Sequence, residues 1–372
     1  MEIPEITPFF IGLLVVFGLK IINDWLVTGM AAFIKNGEIS KITPPVSIII
    51  CARNESNNLI EFIPKIMKQN YPHFEVVVVN DRSIDNTEVL LNAFANKYEN
   101  LKITKVQQSE LHWAGKKLAL TIGLKSATYN HVLLTDADCF PSSNNWIRGM
   151  TSKFSNSKKI VLGYGAYQKG SGFLNKLIRG EALLIALQYI GLSKIGIPYM
   201  GVGRNLAYHK DLFFDNRGFA SHQFMPSGDD DLFINEVANS KNTVSSFSED
   251  SYTISIPEKT FANWMEQKRR HLTTSNRYNL ISISALFYIT LVRYLFFSTL
   301  FISFFGSLKI IALGLFLINL ISLTALHYKV SKKTNSLDLL PWIPTCEIFL
   351  LLFYPFLFIW NTVVSGSPWK NY

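Results

Sequence analysis

The sequence predicts an α/β domain set between membrane-spanning helices, and three observations carry that prediction. Of its 372 residues 48% are hydrophobic and only 17% charged, more apolar than a soluble chain requires. Long apolar runs gather at the two ends of the chain. Between them, from Pro44 to about Lys259, short β-branched runs alternate with amphipathic segments of ordinary polarity, as in a sheet covered by helices.

The first apolar run extends from Ile6 to Leu19 behind a stub carrying Glu2 and Glu5, and Lys20, Asn23 and Asp24 interrupt it. If Lys20 snorkels to the interface, a helix continuing through Trp25 to Ile34 reaches the roughly 20 residues a bilayer demands. The acidic stub, with no small-residue cleavage site after the apolar core, favours an uncleaved anchor over 1–36 against a signal peptide. Beyond Arg277, apolar runs near 286–307, 310–326 and 341–364 predict about three further spans within 280–365. Arg293 is expensive in lipid, so its stretch is expected to begin as an interfacial helix. Arg293 and Glu347 are too few for an obvious ion path, which weighs against a transporter with a large soluble domain.

Charge patterning orients the chain. Lys35 and Lys41 follow the first span, His327, Lys329, Lys332 and Lys333 lie in an expected linker over 327–338, and the N-terminal stub has no Lys or Arg. Positive-inside reasoning puts the α/β domain and that linker in the cytoplasm with both termini outside, as in a bacterial inner-membrane protein. The net charge of +9 is scattered and flanks apolar runs, which suits membrane lipids and phosphorylated ligands better than nucleic acid. Cys51, Cys139 and Cys346 show no CxxC spacing, so neither a zinc site nor a disulfide framework is indicated.

Within the domain, runs at 46–51, 75–80 and 131–135 read as strands, with an amphipathic segment at 58–69. Polar residues follow each strand, at the carboxyl edge where open α/β sheets bind ligands. After the third come Asp136 and Asp138 around Ala137, two hard oxygen ligands for Mg2+ or Mn2+ that would neutralise a diphosphate. Surface turns also contain such triplets. Ala52-Arg53-Asn54-Glu55 after the first strand, and the loop from Asn80 and Asp81 to Thr87 after the second, offer partners to a base and ribose. Asp81 and Ser83 could instead cap the next helix. Gly115-Lys116-Lys117 could set a cation beside phosphate at a helix start.

The order of these motifs resembles the family 2 glycosyltransferases, inverting enzymes with a GT-A (nucleotide-diphospho-sugar transferase, Rossmann-like) fold. The match spans most of the soluble domain, 44–275. The resemblance implies that Asp81 contacts the nucleotide base, and that Asp136 and Asp138 hold diphosphate and metal. Gly201 to Tyr208, with Gly203 and Asn205, resembles the glycine-rich segment beside donor sugar and acceptor. Gly228-Asp229-Asp230-Asp231 resembles the acidic motif whose second carboxylate is the base, which maps to Asp230; a register shifted by one would make it Asp229 or Asp231. Gln267 and Arg270 match the Q-x-x-R-W motif, with His271, a smaller titratable ring, in place of its tryptophan, so processive synthesis is not implied. Arg269 and Arg270 suit either the departing diphosphate or lipid phosphates. The reading is a membrane-bound, metal-dependent transferase moving a sugar from a nucleotide-sugar donor to a lipid or lipid-linked glycan. A catalytically inactive membrane scaffold is the rival.

Overall fold

A computed structural model describes residues 7–34, 43–107 and 116–363. Its centre is a seven-stranded sheet. Strands β1 (Val46–Ala52) and β2 (Phe74–Asn80) pair in parallel with β3 (Leu101–Lys105) at one edge and β4 (His131–Asp136) on the other side. β1, β2 and β4 are buried on both faces, which is why they read as near-continuous apolar runs. The helices Ser56–Met67 and Thr87–Lys97 make the crossovers.

The short strands β5 (Cys139–Pro141), β6 (Ile160–Leu162), β7 (Gly165–Tyr167), β8 (Leu206–His209), β9 (Thr243–Ser245) and β10 (Thr253–Ser255) complete two sheets. The main sheet runs β3-β2-β1-β4-β8-β6-β9 and the smaller one β5-β10-β7. β8 is antiparallel to β4, so the residues that precede it arrive at the same edge as the carboxyl ends of β1, β2 and β4.

Among the described residues four helices are long and apolar enough to cross a membrane: Pro8–Ala32, Leu280–Phe304, Lys309–Lys333 and Leu337–Val363. The first contains a π-turn at Trp25–Gly29. Gly191, on the 23-residue helix Gly172–Lys194, abuts that turn so closely that a Cβ would fall 2.0 Å from the Val27 carbonyl oxygen. Only glycine permits this contact between the α/β domain and its anchor.

Three expectations about the membrane part are corrected. Lys20 does not snorkel: it is wholly buried, its Nζ 2.6 Å from Asp24 Oδ2 and 3.1 Å from Glu347 Oε1. Arg293 does not mark an interfacial start, because its helix is continuous and its Nε lies 3.5 Å from the same Glu347 oxygen. Opposite charges thus neutralise one another inside the bundle, where each alone would be costly. His327 to Lys333 form the last turns of a helix rather than a linker, and Lys333 Nζ donates to the carbonyls of Ala32 at 2.8 Å and Ile34 at 2.7 Å, satisfying the end of the first helix. Lys35, Lys41 and the stub lie outside the described residues.

Glu347→Gln removes a carboxylate shared by two cations and leaves net positive charge among apolar helices. Thermal unfolding of the solubilised protein should show a loss of about 3–5 kcal/mol, the cost of orphaning a buried charge. A change within about 0.5 kcal/mol would show that the cluster holds nothing together.

Candidate active site

The sheet edge is built from three strand ends in register, Ala52 opposite Asn80 and Cys51 opposite Asp136. Ala52 is buried, so it serves through its backbone, and its carbonyl accepts from the Asp81 N–H at 2.8 Å. Asn54 adopts φ +57°, a left-handed conformation that its short polar side chain tolerates. Its N–H donates to Ser83 Oγ at 3.0 Å and its Oδ1 accepts from the Ile84 N–H at 2.8 Å. Ser83 therefore joins two loops instead of capping a helix. The helix that begins at Thr87 is supported by Asp85, whose Oδ1 accepts the Thr87 N–H at 3.0 Å, so Asp81 is not used there. Asp81 is buried and accepts from its neighbour Arg82 at 2.8 Å. Arg53 is half-buried on the same loop, and Glu55 Oε2 accepts from Asn58 Nδ2 at 2.6 Å. Burial, with Asp138 and Asp136 nearby, holds the Glu55 carboxyl above its ordinary range.

The ligand atoms of Asp136, Asp138 and Cys139 lie within 4.8 Å of one another. Burial and then the Asp136 charge push the Asp138 carboxyl up, so the pair is poorly compensated by the protein alone. Burial raises the Cys139 thiol far more, which keeps it protonated, and it donates to Asp138 Oδ1 at 3.2 Å. The donor set is therefore two carboxylates with a thiol as their hydrogen-bond partner, and it fits a hard, oxygen-seeking divalent ion. Lys116 contacts Asp136 and stands 3.7 Å from Asp229 Oδ2. Burial opposes its charge, but these carboxylates outweigh it and keep Lys116 protonated. Gly115 lies outside the described residues.

The acidic triplet approaches from the other side. Gly228 has φ +98°, and a Cβ there would meet Leu232 Cδ1 at 2.5 Å. Asp230 caps the helix Asp231–Val237, accepting the Asp231 N–H on Oδ1 at 2.7 Å and the Gly203 N–H on Oδ2 at 2.6 Å. A Cβ on Gly203 would lie 3.3 Å from Asp230 Oδ2 and 3.7 Å from Lys116 Nζ, so this glycine brings base candidate and cation together. Burial, then the charges of Asp229 and Asp231, push the Asp230 carboxyl up to about 8 against those two donors. Asp231 is engaged elsewhere: its Oδ2 accepts from Thr274 Oγ1 at 2.5 Å and Tyr278 OH at 2.8 Å, and its Oδ1 from the Leu232 N–H at 2.8 Å.

One predicted contact residue is corrected. Asn205 is wholly buried; its Nδ2 donates to the Tyr164 and Ser251 carbonyls at 2.8 and 2.7 Å, and its Oδ1 accepts from Trp146 Nε1 at 2.9 Å. With every polar atom satisfied inside the core, it cannot touch a sugar. Gln267, Arg270 and His271 share the helix Phe261–Leu272, and Gln267 Oε1 is buried with no hydrogen-bond partner among the described residues. Lys268 Nζ and Trp264 Nε1 fix this helix on Glu181 Oε2 at 2.7 and 3.1 Å. Arg269 Nε donates to Asn361 Oδ1 at 2.7 Å on the last membrane helix, a use neither sequence alternative foresaw. His271 is exposed on this helix; desolvation by the neighbouring protein, then the positive charges of Lys268, Arg204 and Arg270, lower its imidazole below the ordinary range.

The sequence reading missed a brace behind the triplet. Lys117 Nζ donates to the His222 and Met225 carbonyls at 2.5 and 3.0 Å, and His222 Nε2 donates to the Gly228 carbonyl at 2.9 Å. The adjacent Lys116 and Lys117 look alike in sequence; only their position on the helix start decides which one faces inward.

Residues 47–214 match the sequence model described as Glycosyl transferase family 2. The probable glycosyltransferase YdaM of Bacillus subtilis (strain 168) is 24% identical over 92% of this chain and 83% of its own length. The poly-β-1,6-N-acetyl-D-glucosamine synthase of Staphylococcus epidermidis is 30% identical over 25% of this chain, and the match spans 21% of that synthase. Among solved structures, the mannosyltransferase PcManGT from Pyrobaculum calidifontis, in complex with GDP-Man and Mn2+, superposes with a TM-score of 0.57 at 19% identity, covering 93% of this chain and 98% of that one. At this identity the likeness establishes the fold, which is GT-A.

Asp138→Ala removes one of the two paired carboxylates. Calorimetry with Mn2+ and UDP or GDP should show metal-dependent binding weakened by about tenfold or more, over about 1.4 kcal/mol. Undiminished affinity would take Asp138 out of the metal site.

Proposed function

We propose that this chain, which carries a glycosyl transferase family 2 domain, is a membrane-bound, metal-dependent, inverting transferase that moves a hexose from a nucleotide-diphosphate donor to a lipid or lipid-linked glycan. One observation carries the reading: Asp230, bonded to the Gly203 N–H, adjoins Asp229, and Lys116 stands between Asp229 and Asp136 at the carboxyl edge of the sheet. That edge supplies the ingredients for inversion, a poised base on one side and cationic support for a leaving group on the other.

In this mechanism Ala52, Arg53, Asn54, Glu55 and Asp81 hold the nucleotide, while Lys116 and Asp136 face the diphosphate. Asp136 and Asp138 would hold a divalent ion, which when bound would neutralise charge on the departing diphosphate. Asp230 takes the proton of the acceptor hydroxyl, whose oxygen attacks the anomeric carbon from the face opposite the nucleotide. As the new glycosidic bond forms, the anomeric carbon–oxygen bond to the diphosphate breaks and its electron pair leaves with the phosphate. A carboxyl group near 8 is well matched to a general base at neutral pH. Gly203 and the helix with Gln267, Arg270 and His271 border the acceptor side.

The lipid acceptor is supported by the path from base to membrane. Asp231, next to Asp230, is bonded to Thr274 and Tyr278, immediately ahead of the membrane helix Leu280–Phe304. An acceptor held at the bilayer surface therefore reaches Asp230 without leaving the interface. Cytoplasmic placement of the catalytic domain is supported by the basic residues around 327–333.

Asp230→Asn keeps shape but cannot take a proton, so turnover should fall roughly a hundredfold to ten-thousandfold with donor affinity nearly unchanged. In the parent protein kcat/KM should rise about tenfold per pH unit below about 8 and level off above it. Below that raised value the free carboxyl keeps its proton and cannot act as the base. If Asp229→Asn is the inactive variant and Asp230→Asn turns over normally, the base has been misassigned.

For orientation, a cysteine at the exposed Asn335 should react with a membrane-impermeant maleimide in inverted vesicles and not in intact cells. Reaction from outside would reverse the topology.

A further inference from the structure

Arg204 has no part in the mechanism above, yet its surroundings are shaped around it. Its guanidinium lies over the ring of Tyr167, with Cζ 4.3 Å from the centroid. Its Nη1 donates to Ser255 Oγ at 3.3 Å and, weakly, to the Ala166 carbonyl at 3.5 Å. Gly165 forms the wall of this slot: a Cβ there would stand 3.2 Å from Arg204 Cβ and 3.3 Å from its Nε. An aromatic face on one side and a missing side chain on the other hold a planar cation in one orientation.

The slot supplies no counter-charge. Both hydrogen-bond partners are neutral, and no carboxylate of the described residues lies within ion-pair distance of the guanidinium. Arginine carries five N–H donors and is always charged, so most of its donors are left over, and a half-enclosed cation without a counter-ion is costly. The acidic pair is close by: Ser255 Oγ lies 2.9 Å from Cys139 Sγ, which donates to Asp138 Oδ1 at 3.2 Å. Arg204 thus acts electrostatically on Asp138, and also on His271 of the membrane-border helix. Lys116 answers Asp136 and Asp229; the Asp138 side has Arg204 as its cation, with no salt bridge between them.

We propose that Arg204 binds the diphosphate of the nucleotide donor as a planar cation, held ready by Tyr167 and Gly165 beside the Asp136–Asp138 pair. The proposal rests on the donor reading above. Two phosphate oxygens suit the open edge of a guanidinium, and the charge that a nucleoside diphosphate carries away calls for a cation that cannot lose its proton.

The test is calorimetry of the full-length solubilised protein with UDP and with GDP in the presence of Mn2+. Arg204→Gln should weaken binding of the preferred diphosphate about tenfold to a hundredfold, with Arg204→Lys between it and the parent. Parent-like affinity in Arg204→Gln would overturn the proposal. If the parent itself binds neither nucleotide, the donor reading fails instead. A second measurement needs no variant: phenylglyoxal modification of Arg204, read by peptide mass spectrometry, should be suppressed by the bound diphosphate with Mn2+ and not by uridine or guanosine. Modification that is unaffected by the nucleotide but suppressed by phosphatidylglycerol bicelles would assign Arg204 to a lipid phosphate and also overturn the proposal.

Discussion

Asp136, Asp138, Asp229, Asp230 and Asp231 are gathered at one edge of one sheet, and like charges that close repel unless each is held by something specific. Much of the surrounding structure meets that constraint. Lys116 bridges the side chains of Asp136 and Asp229, the Cys139 thiol supports Asp138, and the Gly203 N–H holds Asp230. Thr274 and Tyr278 hold Asp231. These holders come from separate stretches of chain, so the charged edge exists only when the parallel sheet, the antiparallel β8 insertion and the membrane-border segment are all in place. Burial and the charges of neighbouring aspartates push the Asp138, Asp230 and Asp231 carboxyls above their ordinary range.

A second set of buried charges ties this edge to the membrane. Glu181, wholly buried on the helix Gly172–Lys194, receives Lys268 and Trp264 from the juxtamembrane helix and Tyr354 OH at 2.5 Å from the last membrane helix. Inside the bundle, Lys20, Asp24, Arg293 and Glu347 join the first, second and last membrane helices. In lipid there is no hydrophobic drive between helices, so association falls to packing and polar contacts, and these pairs carry that role here. Gly191 against the π-turn at Trp25–Gly29 supplies the close packing between anchor and domain. The helix with Gln267, Arg270 and His271 is thus fixed relative to both the sheet and the last apolar helix.

Composition, period and motif order by themselves determined the class of the molecule. The strands β1, β2 and β4 were legible because strands buried on both faces read as near-continuous apolar runs, and the polar residues after them fall at the ligand edge by topology alone. Four apolar helices among the described residues were legible because a bilayer imposes a length, and the closeness of Asp136 and Asp138 because two carboxylates one residue apart at a strand's end lie near each other. The three-residue strands β5, β6, β7, β9 and β10 were not, since so short a pairing is set by its neighbours and leaves no period to read. Tertiary structure alone decided the fate of single polar residues. Lys20 pairs with Glu347 from the far end of the chain, Asn205 turns into the core while its neighbour Gly203 meets Asp230, and of three consecutive aspartates Asp231 is taken by Thr274 and Tyr278. The reason is physical: a side chain's charge and donors are written in its own residue, but its partner, and so its role, is supplied by whatever the fold brings within about 3 Å of it.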